Sequence, residues 1–272
     1  QRADGYHLLD SLVVFADIGD RLWFDAGPQM RISVTGPFAE GVPVDQRNLV
    51  WQAAVLAGWT GHITLEKNLP HGAGIGGGSS DAAAVLRAFG GTADALQLGA
   101  DVPVCLAHAP QRMRGIGEIL DPIAPLPDLE IVLVNPRVAV PTAPVFNGLA
   151  SKTNSPMADT IPAFADAAGF VHWLGAQRND LEAPARVHAP QVDKALAALE
   201  GALLARMSGS GATCFGLYES GAAQAARRIA QTHPDWWVRA GRPGWSRAAA
   251  GRSRCRHSRA ARRARSRSPV GA

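Results

Sequence analysis

The amino-acid sequence predicts a chain of mixed α and β character, an α+β protein folded in two units. Three observations carry that prediction. Short apolar or alternating runs, bounded by Gly, Pro and Asp, recur between longer stretches with helical spacing. A glycine-rich loop at residues 72–78 leads directly into an alanine-rich helical segment. Pro127-Asp128 then sets off Leu129–Asn135, the most apolar strand candidate in the chain, and marks the junction between the units.

The elements follow in order. Leu12, Val13, Val14 and Phe15 form an apolar run, Gly19-Asp20 turns, and Leu22-Trp23-Phe24 resumes, so Leu8–Phe24 reads as strands. Arg31–Thr35 alternates and stops at Gly36-Pro37. From Asn48, the spacing of Leu49, Val50, Ala53, Ala54 and Ala57 predicts a helix with one apolar side. His62–Glu66 is a further short strand. Beyond the junction come a polar loop at 151–159, helices near Ile161–Leu174 and Val192–Glu200, a strand at Thr213–Tyr218, a helix at Ala222–Gln231 and a closing strand at Trp236–Arg239. The division expected is 1–127, 128–240 and a tail at 241–272.

Composition narrows the function. Hydrophobic content of 47% against 18% charge excludes disorder across the whole chain. No apolar run approaches the roughly 18–20 residues of a membrane helix. Cys105, Cys214 and Cys255 are scattered, which excludes a disulfide scaffold or zinc ribbon and suits a reducing cytoplasm. The net charge of +4 belongs to the tail, where ten arginines and no acid follow Gly241, leaving 17 basic against 23 acidic residues before it. Nucleic acid is therefore not an expected partner of the body. The tail, rich in Arg, Ala, Ser and Gly, is expected to be a disordered appendage, and its abrupt start resembles out-of-frame translation.

The segment Pro70, His71, Gly72, Ala73, Gly74, Ile75, Gly76, Gly77, Gly78, Ser79, Ser80 carries the chemistry. Its glycines let backbone approach a ligand without Cβ atoms in the way. Ser79 and Ser80 are expected to cap the helix that follows, and a helix start with exposed N–H groups is an anion site. No Walker-type G-x-x-x-x-G-K-[ST] occurs. Gly72, Gly74 and Gly77 satisfy G-x-G-x-x-G, with Asp94 near the place of a ribose-binding acid, so a dinucleotide-binding dehydrogenase is the competing reading. Against it, Lys67–His71 intervene between the strand and the first glycine.

The same segment resembles the P-x-x-x-G-L-G-S-S-A-A motif of the GHMP small-molecule kinases. Gln1-Arg-Ala-Asp-Gly-Tyr-His, Leu98-Gly-Ala-Asp-Val-Pro-Val and Ser208-Gly-Ser-Gly-Ala are similar to the branch acting on a cytidine-diphosphate sugar alcohol. Gly115-Ile-Gly-Glu, Pro141-Thr-Ala-Pro-Val-Phe and Asn179-Asp-Leu-Glu are weaker echoes. The resemblance spans about 1–240 in the right order and implies a ribosomal-protein-like N-terminal domain beside a ferredoxin-like α/β sandwich. It implies an ATP- and Mg²⁺-dependent kinase in isoprenoid precursor synthesis, with Pro70–Ser80 as phosphate loop and Asp101 as the acid that takes the hydroxyl proton. Asp101 also reads as a helix cap before Val-Pro. Tyr6, His7, Phe146 and Thr142 match residues holding the cytidine end. Asn48, Leu49 and Lys67 match the adenine pocket, with a helix cap, a core residue and a solvated lysine as the plain alternatives. Ser208, Gly209, Ser210 and Gly211 match a structural glycine loop. The Mg²⁺ ligands are not identified, Ser80 being one candidate, and neither is the oligomeric state.

Three departures qualify the resemblance. The Phe89–Leu98 segment is short, which puts one helix in doubt. The tail replaces the family's last strand and loop. The family's active-site lysine sits on a strand upstream of Gln1, so the sequence leads to the expectation of an impaired, nucleotide-binding fragment with an open sheet edge beside Leu8–Phe15.

Overall fold

The computed structural model describes residues 7–107 and 109–244. The N-terminal unit opens with β1 (Leu9–Val13), β2 (Arg21–Ala26) and β3 (Arg31–Thr35). Helix α1 (Leu49–Leu56) begins where Asn48 accepts the Val50 N–H at 2.9 Å and donates to the Pro43 carbonyl at 2.8 Å. Its buried Val50, Ala53 and Ala54 are positions the helical spacing selected. Strand β4 (Gly61–Glu66) buries alternate residues and runs antiparallel to β2 and parallel to β3, giving the order β2-β4-β3. Helix α2 (Gly77–Phe89) packs on α1 over a core of Ile63, Leu65, Val50, Ala82, Ala83, Val85 and Leu86. A 3-10 segment at Thr92–Leu98, helix α3 (Val102–Ala107) and the hairpin β5 (Gln111–Gly115) and β6 (Ile119–Pro122) complete the unit, with β1 pairing antiparallel on β5.

The C-terminal unit comprises β7 (Glu130–Asn135), helices α4 (Thr142–Asn147), α5 (Ala167–Gly175), α6 (Glu182–His188) and α7 (Gln191–Ala198), strands β8 (Leu204–Met207) and β9 (Cys214–Tyr218), helix α8 (Ala222–Thr232) and β10 (Trp237–Gly241). The sheet order β10-β7-β9-β8, antiparallel throughout, is that of a ferredoxin-like βαββαβ sandwich. One face buries Val132, Val134, Cys214 and Val238 under Val192, Ala195 and Ile229. The other face carries Ile131, Leu133, Leu217 and Trp237. They pack with Phe170 and with Leu12, Ile18, Leu69 and Ile75 of the first unit, so the two units share an apolar seam. The Trp237 indole N–H donates across that seam to the Asn68 carbonyl at 3.1 Å.

Four expectations need correction. The helix expected from Ile161 begins only at Ala167, where the Asp166 side chain accepts the Gly169 N–H. Ser79 and Ser80 lie inside the first turn of α2, and its N-cap is Gly76 at φ 63°. The short segment after Phe89 still holds a helical turn at Thr92–Leu98. The tail does not start at Gly241: that residue pairs with Ile131 at the end of β10, and Ala16 bridges Pro243. The remaining tail positions lie outside the described residues. No helix among the described residues is long and apolar enough to cross a membrane.

Candidate active site

The glycine-rich loop leaves β4 at Glu66 and reaches α2 through Lys67–Gly76. Gly72, Gly74 and Gly76 all take positive φ, at 54°, 70° and 63°, which a side chain would oppose. At Gly74 the neighbours also matter: a Cβ there would meet Ser208 O at 2.5 Å and Gly211 N and O at 2.7 Å. The loop is therefore pressed onto the second glycine loop at Ser208–Gly211. Ser208 Oγ donates to the Gly74 carbonyl at 2.8 Å, and Thr213 N donates to the Ala73 carbonyl at 3.2 Å. Asn179 holds that second loop by donating to the Met207 and Gly209 carbonyls, and Glu182 accepts the Met207 N–H. The Asn179-Asp-Leu-Glu echo in the sequence thus has a definite task.

At the start of α2, neither the Ser79 nor the Ser80 hydroxyl has a hydrogen-bond partner among the described residues. Backbone N–H groups and the helix dipole make this end attractive to an anion. Asp101 faces it: a Cβ on Gly76 would lie 4.0 Å from Asp101 Oδ2. Among the described residues the Asp101 carboxylate accepts no hydrogen bond and joins no ion pair, so its side chain does not cap α3. Only its carbonyl serves the helix, accepting from Cys105 N at 3.2 Å. The residue is accessible to solvent yet recessed, and burial raises its pKa above the ordinary carboxylate value. The β5–β6 hairpin fixes its approach, since Gly117 at φ 108° lies against the Ala100 backbone so closely that a Cβ has no room. Glu118 closes that hairpin by accepting the Ile116 N–H.

On the far side of the second glycine loop, Thr142 Oγ1 lies 3.3 Å from Ser210 Oγ, and Phe146 packs on His7 with ring centroids 4.6 Å apart. Burial, then the nearby Lys152 charge, lowers the His7 pKa, which favours a neutral imidazole. The structure thus brings His7, Thr142, Phe146 and the Ser208–Gly211 loop together. Tyr6 lies outside the described residues.

The three residues matched to an adenine pocket fare differently. Asn48 is committed to capping α1, and Leu49 packs beside Gly78. Lys67 is not solvated: its ammonium is buried and donates to Asp20 Oδ2 and to Asp81 Oδ2, the latter at 2.9 Å. Asp20 was legible in the sequence only as a turn residue, and its partnership with Lys67 and Asp81 depends on the way β2, β4 and α2 converge. Burial is the main force pushing the Asp81 pKa up, to about 7, and Lys67 opposes it. The flanking acidic charges hold the Lys67 pKa up despite burial. Asp94, the candidate ribose acid, sits on the 3-10 segment and accepts from Gln97 instead. The three-stranded β2-β4-β3 sheet beside the loop has one antiparallel pair, unlike a dinucleotide-binding βαβ sheet.

Comparison with known proteins decides the family. The GHMP kinases N terminal domain family matches residues 48–109, and the GHMP kinases C terminal family matches residues 160–235. A 4-diphosphocytidyl-2-C-methyl-D-erythritol kinase from Dinoroseobacter shibae is 57% identical over 250 residues, 88% of this chain and 87% of that protein. The chain belongs to this kinase family. The relative of the same name from Paracoccus denitrificans is also 57% identical, over 88% of this chain and 89% of that protein. A crystal structure of 4-(cytidine 5'-diphospho)-2C-methyl-D-erythritol kinase superposes with a TM-score of 0.68 at 34% identity, covering 89% of this chain and 92% of that one. A homoserine kinase from Cytophaga hutchinsonii, at TM-score 0.55 and 20% identity, shares the fold. The two-domain GHMP kinase architecture expected from the sequence is the one observed.

Proposed function

We propose that the chain transfers the γ-phosphoryl group of ATP to the 2-hydroxyl of 4-diphosphocytidyl-2-C-methyl-D-erythritol, with Asp101 as the catalytic base. The observation that carries this reading is the unpartnered Asp101 carboxylate facing the N-terminus of α2 across Gly76. An acceptor hydroxyl placed between them has its proton directed at Asp101 Oδ2 and its oxygen aimed at a phosphoryl group on the helix start. The bond from the γ-phosphorus to the β,γ-bridging oxygen breaks as the bond to the acceptor oxygen forms. The hydroxyl proton passes to Asp101, and ADP leaves. The raised pKa of Asp101 makes its carboxylate a better proton acceptor than an ordinary aspartate.

Backbone N–H groups between Ala73 and Ser79 receive the phosphates, and the loop contacts from Ser208 and Thr213 keep them aimed. Phe146 offers an aromatic face for the cytosine ring, with neutral His7 packed against it. The donor chemistry fits Mg²⁺, which takes most of its ligands from phosphates and water and asks the protein for one or two hard oxygens. The Ser79 and Ser80 hydroxyls are the hard oxygens at this place that would hold it, which leaves the Asp101 carboxylate to the acceptor hydroxyl. When bound, Mg²⁺ neutralises charge on the phosphates. The test is Asp101→Asn, which retains the binding of both substrates while turnover falls about 100-fold or more. Turnover equal to the parent removes Asp101 from the chemistry.

A further inference from the structure

We propose that Asp20, Lys67 and Asp81 are positioning residues that hold the phosphate loop in its ATP-binding shape from behind, so that the Lys67 side chain serves the loop and not the nucleotide base. This rests on the kinase reading given above and adds to it a set of residues outside the reacting groups.

The three side chains come from three elements. Asp20 precedes β2, Lys67 follows β4, and Asp81 lies in the second turn of α2. Their side chains are 0%, 6% and 6% exposed. Asp20 uses Oδ2 for the Lys67 ammonium and Oδ1 for the backbone N–H groups of Asn68 and Leu69, the second at 2.9 Å. Those are the two residues before Pro70, where the loop begins. At the other end of the loop, Asp81 binds the same ammonium from inside α2. One cation therefore ties the start of the loop to the helix on which the loop ends. The Lys67 backbone adds two further ties, N to the Thr35 carbonyl at 2.8 Å and the carbonyl to Phe38 N at 3.2 Å. Close packing completes the brace: a Cβ on Gly77 would lie 3.3 Å from Leu69 Cδ1 and 3.8 Å from Asp20 Oδ2.

Stability alone does not account for such a group. Apolar residues of similar volume fill a buried site as well as an ionisable triad or better, because charged groups must be stripped of water. What the triad supplies is fixed direction: short, charge-assisted bonds of defined geometry between a loop and a helix. A loop that offers backbone N–H groups to phosphates needs that definition, since small misplacements are expensive in binding and rate.

The experiment compares the full chain with Asp81→Ala, Asp81→Asn and Asp20→Asn. It measures steady-state kinetics with ATP·Mg²⁺ and the acceptor, ATP·Mg²⁺ binding by calorimetry, and melting temperature. Asp81→Ala leaves the ammonium with one partner and raises KM and Kd for ATP about 10-fold, with KM for the acceptor within about 2-fold. Asp81→Asn keeps an oxygen for Lys67 and brings the ATP constants back to within about 3-fold of the parent. Asp20→Asn, of unchanged size, turns an amide group on Lys67 or on the loop N–H groups and reproduces the selective ATP defect. Equal changes in both KM values, or a lower melting temperature with unchanged ATP constants, overturns the proposal. If the parent chain transfers no phosphoryl group, the kinase reading fails by itself, and the calorimetric order of the variants still decides the role of the triad.

Discussion

Gly74 tests whether the two glycine loops are built as one surface. In Gly74→Ala the new methyl group carries two costs. The residue sits at φ 70°, in the left-handed region, where a side chain costs about 1–2 kcal/mol. Its Cβ would also stand 2.5 Å from Ser208 O and 2.7 Å from Gly211 N and O, all backbone atoms that cannot swing aside. Overpacking of that kind costs about 1–3 kcal/mol. The sum is about 3 kcal/mol, which in a domain of this size lowers Tm by about 6–12 °C. The control is Gly72→Ala, at φ 54° with nothing within 4 Å of the added atom. It carries the conformational cost alone, about 1 kcal/mol and a Tm lower by about 2–4 °C. Scanning calorimetry of the two variants reads the difference directly. Because the clash parts Gly74 from Ser208, only Gly74→Ala also raises the ATP·Mg²⁺ dissociation constant, by about 10-fold or more. Equal melting temperatures and equal nucleotide affinities for the two variants would refute the loop-on-loop reasoning.

Other expectations follow from the same contacts. Gly117→Ala pushes the hairpin off the Ala100 backbone and displaces Asp101, so kcat falls about 10-fold or more with little change in KM for ATP; unchanged kcat counts against the hairpin's role. Phe146→Ala raises KM for the acceptor by about 10-fold while KM for ATP stays put, on the basis of about 1–3 kcal/mol per base stacked on an aromatic ring; a shift in the ATP constant instead would misplace the cytosine site. The Asp81 pKa is raised on folding, so its contribution to stability is present below the ordinary carboxylate range and is lost as pH rises through about 7. Asp81→Asn should therefore flatten the decline of Tm between pH 5 and 8, and an unaltered pH profile contradicts that assignment. A chain ending at Ala240 should melt below one ending at Gly244, because it loses the Arg242 N–H to Asp17 bond at 2.7 Å and the Asp17 N–H to Arg242 carbonyl bond at 2.9 Å. Equal melting points would show those contacts to be idle.

Local chemistry made much of this molecule legible. The apolar faces of α1 and β4, the strand at Glu130–Asn135 and the glycine run before α2 follow from spacing and composition, and their positions agree with the structure. Segments with weak patterns carry no such signal. The short helices at Thr142–Asn147 and Glu182–His188 have too few turns to show a period. The β5–β6 hairpin carries Arg112 and Arg114 where a strand face would be apolar, because Arg112 is paired with Asp10 and holds the carbonyls of Met157, Ala158 and Asp159. Composition places the tail boundary at Gly241, whereas Gly241 pairs with Ile131 and the Arg242 and Gly244 backbones bond to Asp17 and Phe15, some 225 positions earlier. At the site, the glycine loops, Asp101 and the Phe146 helix carried recognisable residues. The burial of Lys67 did not: a lysine two acids away from solvent looks, in sequence, like any lysine at a strand end. Only the convergence of Asp20 and Asp81 distinguishes it.

The central claim is that Asp101 and the α2 phosphate loop act together on an acceptor hydroxyl. It is tested most directly by a single-turnover experiment with the chain in excess over γ-labelled ATP·Mg²⁺, in the presence of 4-diphosphocytidyl-2-C-methyl-D-erythritol, so that even slow transfer is seen. The account predicts label on the acceptor's 2-hydroxyl with the parent chain, and transfer slower by about 100-fold or more with Asp101→Asn at undiminished ATP binding. Label released only as inorganic phosphate, or transfer by Asp101→Asn at the parent rate, would contradict it.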